Sequence, residues 1–263
     1  MLRTLLHRSR RLLYGVYSLT ALALVVAFAA LMALLVPRLA WRRALTHQLA
    51  RLWLWLAGIR LTVRGADQLP QGSCVLIANH SSYIDGVVMK AALPPRFSFV
   101  IKREASSMPI MGFLLRRIGS EFVDRHTRGG RQRDAKRVVR RAEQGHSLVF
   151  FPEGTFDALV GLKRFHIGAF VAAARGGVPL VPSVIRGARQ VLPHDTVVPY
   201  PGPVEVDVLE PLTMAQCGGS AEGLRNCARA CMVELLDYPD LAPAPAKRGH
   251  AKLQLDEESA EAE

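Results

Sequence analysis

From Leu12 to Pro37 the chain carries no charged side chain. The inner stretch YSLTALALVVAFAALMALLV, Tyr17 to Val36, is about twenty residues, the length at which a helix crosses the hydrocarbon of a bilayer. Arg3, Arg8, Arg10 and Arg11 precede the run, and Arg38, Arg42 and Arg43 follow it. A cleaved signal peptide has a shorter apolar region and a small-residue cleavage site. Neither fits, and basic residues follow at once, so the segment reads as a retained anchor. In the next stretch, ALTHQLARLWLWLAGIR, Leu45, Leu49, Leu52 and Leu56 recur at helical spacing, and Trp53 and Trp55 suit a bilayer interface. A helix lying in or dipping into the membrane is favoured there over one that packs in a core. Positive charge on both sides of the first segment leaves a single span and a re-entrant two-helix anchor equally open.

After Arg60 short β-rich runs alternate with helical stretches. The strands expected are Leu61–Arg64, Cys74–Ala78, Phe97–Ile101, Glu121–Val123, Ser147–Phe151, Val178–Ile185 and Val204–Val208. The helices expected are Gly86–Ala92, Met108–Ile118, Gly130–Gln144, Phe165–Ala174 and Glu222–Leu236. In the third of these, Ala135, Val138, Val139 and Ala142 form an apolar face opposite Arg131, Arg133, Lys136, Arg137, Arg140 and Arg141. The alternation predicts an α/β domain, a mixed central sheet flanked by helices, preceded by a membrane-associating helical segment. The expected division is an anchor over 1–58, a domain over 59–238 and a Pro/Ala-rich, then acidic, disordered tail over 239–263.

The 263 residues carry a formal net charge of +12, so an acidic partner is expected, whether nucleic acid, anionic lipid or a phosphorylated substrate. The arginine stripe over 128–141 has no interleaved aromatics and matches no nucleic-acid motif. A solvated face near anionic lipid is the simpler account, and no nucleic-acid partner is expected. The four cysteines, Cys74, Cys217, Cys227 and Cys231, lack the companions of a zinc set and read as unpaired core thiols of a reducing compartment. No metal is implied.

The run Asn79–Asp85, NHSSYID, interrupts this pattern immediately after an apolar strand. One reading is a polar turn; the other is a catalytic dyad of His80 and Asp85. On a regular helix the two would stand roughly 140° apart and could not pair. They meet if the strand ends near Asn79, turns through Ser81–Tyr83 and enters a helix near Asp85. The carboxylate would then fix the imidazole tautomer and leave the other nitrogen as a base. In Val149–Phe170 the segment FFPEGT reads as a buried strand ending in a tight glycine turn, where α/β proteins place their sites. Nearby cations at such a turn suit a phosphate or an oxyanion.

Asn79–Asp85, Phe151–Thr155 and the run from Gly119 through Asp124–Arg125 resemble the glycerolipid acyltransferase family. Its best-known members are the 1-acylglycerol-3-phosphate (lysophosphatidic acid) acyltransferases. Four blocks lie in the family's order and spacing between Leu61 and Pro211, and the N-terminal helices resemble the family's membrane-associating motif. The resemblance implies transfer of an acyl chain from acyl-CoA or acyl-carrier protein to the free hydroxyl of 1-acylglycerol-3-phosphate, giving phosphatidic acid. It gives His80 the role of general base and Asp85 that of its orienting partner. No nucleophilic serine is needed, and none lies in a G-x-S-x-G turn. Lys102 and Arg125 lie in the block that resembles the acceptor-phosphate site. Glu153, Gly154 and Thr155 match the third block, and Val178–Gly187 resembles the fourth, an apolar stretch beside the acyl chain. No cofactor is implied beyond the acyl donor. The location implied is a bacterial inner membrane with the catalytic domain on the cytoplasmic side.

Two positions depart from the family. Phe156 stands where arginine usually continues the third block, and His166 stands where a lysine is common. Both remove fixed positive charge, so either Lys163, Arg164, Arg125 or Lys102 takes over or the acceptor is another lyso-lipid. A hydrolase using the same dyad on water, or a lipid-transfer protein with a decayed site, are the alternatives of other classes.

Overall fold

The computed structural model describes residues 2–124, 128–236 and 238–242. Arg125 and the acidic tail after Ala242 lie outside the described residues. Seven strands form one sheet: β1 (Ile59–Arg64), β2 (Val75–Ala78), β3 (Ser98–Lys102), β4 (Glu121–Val123), β5 (Leu148–Phe150), β6 (Leu180–Arg186) and β7 (Gly202–Val208), in the order β1-β7-β6-β2-β5-β3-β4. Every neighbouring pair is parallel except β6 with β7, which run antiparallel. The sheet is therefore mixed and flanked by helices, as the alternation predicts.

The pleat sorts the core into two layers. Leu76 and Ala78 of β2 point to one face, towards Trp53 and Leu54 of α2 (Leu39–Leu56) and Val88 and Met89 of α3 (Asp85–Ala92). Val75 and Ile77 point to the other, towards α5 (Arg128–Glu143), α6 (Gly168–Gly176) and α8 (Ala221–Leu235). All four β2 residues are buried, as a central parallel strand covered on both sides requires. Edge strand β1 alternates instead.

The N-terminal helix α1 (Leu2–Leu35) turns at Pro37 into α2. Within α1, Ser9–Leu35 is long and apolar enough to cross a membrane, and 17% of its most apolar stretch is buried. That buried stripe docks along the domain. The Tyr14 hydroxyl donates to the Ala57 carbonyl (2.6 Å), and the Trp53 indole donates to the Ser18 carbonyl (3.2 Å). Near the other end, Arg117 at the end of α4 (Pro109–Arg117) donates to the Ala33 carbonyl (2.6 Å). Trp53 is thus a core side chain, 1% exposed, while Trp55 is 73% exposed on the outer face. Arg43 ties α2 to the rest of the domain through the Ile118 and Arg96 carbonyls and the Ser98 hydroxyl.

In α5 the buried face differs from the apolar pattern. Val138, Val139 and Ala142 are buried, but Ala135 is exposed and Asp134 is buried in its place. Asp134 accepts from the Asp124 amide and from Arg103 and Arg137. Arg137 and Arg141 also pair with Glu121, so part of the arginine stripe is neutralised within the fold. All four thiols are free. The sequence did not predict α7 (Ala188–Val191), a single turn after β6.

Candidate active site

β2, β3, β4, β5 and β6 run in one direction, so their C-terminal ends share one edge of the sheet. That edge gathers the segment after β2, the turn after β5 and the ends of β3 and β4. Such an edge is where open α/β sheets hold their sites.

Asn79 extends β2 by one rung through its side chain. Its amide donates to the Ile185 carbonyl (3.0 Å), and its oxygen accepts from the Ile185 amide (2.7 Å). The chain then turns, and α3 begins at Asp85, which places the carboxylate back beside His80. Asp85 Oδ2 accepts from His80 Nδ1 (2.9 Å), from the Ser81 amide (2.6 Å) and from the Ser82 amide (2.8 Å). The Ser82 hydroxyl donates to the Leu192 carbonyl and pins the turn to the segment after α7. Asp85 is fully buried, while the His80 side chain is 20% exposed. Nδ1 is committed to the carboxylate, so Nε2 is the nitrogen left for chemistry.

The turn after β5 closes over this pair. Gly154 takes a φ of 81°, a left-handed conformation that favours glycine, and lets the chain reverse directly after Glu153. Glu153 is buried, and both its oxygens accept backbone amides: Oε1 from His80 (2.7 Å) and Oε2 from Lys163 (2.8 Å). Burial pushes its carboxyl up to about 7, against the opposing pull of these two amides. The Glu153 carboxyl thus joins the turn that carries His80 to the far end of its own loop.

Two phenylalanines enclose the imidazole. Phe151 stacks on His80 with centroids 4.5 Å apart, and Phe156 meets it edge-on at 4.7 Å. Phe156 also meets Tyr83 edge-on at 4.7 Å. Phe156 thus stands against the imidazole itself. Thr155 and Arg164 are exposed. The Lys163 ammonium pairs with Asp157. Lys102 is exposed at the end of β3, two strands from β2 and so about 10 Å across the sheet. The structure therefore brings His80, Asp85, Glu153, Gly154 and Phe156 together, leaves Lys102 two strands away and exposes Arg164 to solvent. Asn79, Phe151 and Tyr83 were absent from the expected site. Asn79 is legible in hindsight, because a side-chain amide at a strand end can satisfy both backbone groups of a neighbouring strand. No cluster able to hold a metal exists among the described residues.

Residues 60–186 match the family model described as Acyltransferase. This stretch is an acyltransferase-family domain. The chain is 29% identical over 203 residues to a chloroplastic 1-acyl-sn-glycerol-3-phosphate acyltransferase of Arabidopsis thaliana, covering 75% of this chain and 56% of that protein. It is 37% identical over 161 residues to the lysophospholipid acyltransferase LPCAT4 of Homo sapiens, covering 57% of this chain and 29% of that protein. The chain thus spans less than two thirds of these relatives. Its fold matches the crystal structure of the 1-acyl-sn-glycerophosphate acyltransferase PlsC from Thermotoga maritima with a TM-score of 0.73 at 20% identity, over 86% of this chain and 94% of that one.

Proposed function

We propose that this acyltransferase moves an acyl chain from acyl-CoA or acyl-carrier protein to the free hydroxyl of 1-acylglycerol-3-phosphate, giving phosphatidic acid at a membrane surface. The observation that carries the reading is the 2.9 Å contact between His80 Nδ1 and an Asp85 oxygen that two further amides hold in place. Nε2 takes the proton of the acceptor hydroxyl as its oxygen attacks the thioester carbonyl carbon. The tetrahedral adduct then expels the thiolate, which receives the proton from His80. The base returns neutral, and no covalent enzyme intermediate forms.

The anchor serves this reading as an in-plane helix. α1 is docked from Tyr14 to Ala33, about 28 Å of helix at 1.5 Å per residue. A perpendicular span would drag α2, α4 and the sheet into hydrocarbon with it. One face on the domain and the other in lipid satisfies both surfaces. A bacterial inner membrane, with the site facing the cytoplasm and its thioesters, is part of the proposal.

The test is a panel assay of the purified full chain with a labelled acyl thioester, CoA-linked or carrier-linked, and several lyso-acceptors. Label in phosphatidic acid supports the proposal. Release of free fatty acid without any acylated acceptor overturns it in favour of a hydrolase.

Phe156 favours a second reading of the acceptor. It offers no donor at the place where a forked, permanent cation would suit a phosphomonoester. The neighbouring Lys163 is already paired with Asp157. A lysophospholipid with a substituted head group could pack against Phe156 and Tyr83 instead, as could a phosphate-free lyso-lipid. Under this reading the unmodified chain prefers such an acceptor, and Phe156→Arg shifts preference towards lysophosphatidic acid. Unchanged kcat/KM for every acceptor in Phe156→Arg would remove this residue from acceptor choice.

A further inference from the structure

The loop from Gly154 to Leu162 presents large apolar side chains to solvent while its backbone is fixed at many points. Its ends meet at Glu153, which accepts the Lys163 amide. Asp157 accepts the Leu159 amide (3.0 Å) and pairs with Lys163. Arg189 of α7 donates to the carbonyls of Ala158 and Leu159, both at 3.0 Å. Yet Leu159 is 62% exposed and Val160 47% exposed. A compact loop held by this many polar contacts, with its apolar residues turned outward, has the form of a binding element.

Contacts through α7 connect this loop to α1. The α7 turn that holds the loop through Arg189 also accepts the Tyr200 amide at its Val191 carbonyl. Beside Tyr200, Val198 lies directly against Gly15 of α1, where a Cβ on the glycine would meet Val198 Cγ1 at 2.6 Å. The neighbouring Val197 is 69% exposed, and Leu12 and Val16 carry the apolar surface onto the unburied face of α1. Two cations stand on these segments: the exposed Arg164 follows the loop in sequence, and Arg11 lies over the Tyr200 ring at 4.5 Å. An apolar strip with fixed positive charge on the same segments fits the headgroup and acyl boundary of an anionic bilayer.

We infer that Leu159 and Val160 enter the bilayer as a second membrane contact, which seats the mouth of the dyad in the lipid surface from which the acceptor comes. The inference rests on the proposed lyso-lipid acyl transfer. Phe156, on the same loop, then faces the site while Leu159 and Val160 face lipid.

The test uses the full chain, a monomeric short-chain lysophosphatidic acid and a long-chain one embedded in anionic vesicles. In the double variant Leu159→Asp, Val160→Asp, kcat/KM on the embedded acceptor should fall at least about tenfold, because two buried apolar side chains are lost from lipid. Its kcat/KM on the short-chain acceptor should stay at the unmodified level. Separately, Leu159→Trp should add fluorescence that brominated vesicle lipid quenches, beyond that of the unmodified chain. Full activity of the double variant on vesicles, or no added quenching in Leu159→Trp, overturns the inference. So does an equal loss on both acceptors with native circular dichroism, which would place the loop in the acceptor pocket. A dimer that the double variant dissociates, with no added quenching in Leu159→Trp, would assign the strip to a second copy of the chain and also overturn it. If the unmodified chain acylates neither acceptor, the proposed function fails, and quenching still decides the membrane contact.

Discussion

Asp85 Oδ2 receives three donors, while Oδ1 is buried without a hydrogen-bond partner among the described residues. An amide at this position leaves a buried NH2 unsatisfied or turns it against those donors, and it releases the imidazole tautomer. Asp85→Asn should therefore lower kcat by about 10²–10⁴-fold, and His80→Ala by a similar order, with folds intact by circular dichroism. Near-normal turnover in His80→Ala would end the general-base mechanism. Glu153 acts at one remove, through the His80 amide. Its folded-state carboxyl is raised from 4.5 to about 7 by burial. Between those values the folded chain keeps a proton that the unfolded chain releases. This contribution to stability is therefore complete below 4.5 and is lost as pH rises through 7, a change of at most about 3 kcal/mol. Glu153→Gln has no such proton. Urea midpoints at pH 5 and pH 8 should show the unmodified chain losing stability relative to the variant as pH rises. A constant difference between the two proteins would show that Glu153 does not titrate in this window.

At the scale of elements, what the sequence revealed depended on whether the determining contacts were local. The strand from Val75 to Ala78 and the turn at Gly154 follow from apolar runs and glycine placement, and both lie where the sequence predicts. The dyad was legible because the turn that closes it lies between its two members. The buried side of α5 was not, because Asp134 is drawn inward by Arg103 and the Asp124 amide, distant partners that helical spacing cannot reveal. The two tryptophans of α2 look equivalent in sequence, yet one enters the core and the other faces out. Local periodicity places them on different faces but cannot say which face α1 and the sheet will cover. The contacts of Glu153 were not legible for a related reason: they depend on two amides brought together only by the closed loop. The distinction within α2 is measurable. Trp53→Ala should cost roughly 3–5 kcal/mol of stability. Trp55→Ala should cost little and should instead weaken vesicle binding. Equal small losses of stability in both variants would contradict the burial of Trp53.

For the whole molecule, α2 packs as part of the sheet's core, while α1 lies along it. Ala50, Trp53, Leu54 and Ala57 share the cluster that contains Leu76, Met89 and Val204, so α2 is one wall of the sheet's core. α1 packs Ala21, Leu22 and Val25 against the outside of this cluster, contributes Ala29 and Ala33 to a small separate one with Leu49, Leu114 and Ile118, and leaves most of its surface unburied. Removing residues 1–35 should therefore leave a chain that unfolds cooperatively, because the two main core layers keep nearly all their members. That chain should bind vesicles more weakly than the full chain, and the part of its binding that survives a high-salt wash, which screens basic attraction but not hydrophobic insertion, should depend on Trp55, Leu159 and Val160. Its transfer to embedded acceptors should fall while transfer to monomeric acceptors persists. Removing residues 1–58 strips Trp53, Leu54 and Ala57 from the face of β2, and that chain should show no cooperative transition. The comparison that decides is thermal unfolding of the two truncated chains side by side. A cooperative, monomeric 59–263 chain would return α2 to the anchor, and an unfolded 36–263 chain would make α1 part of the core.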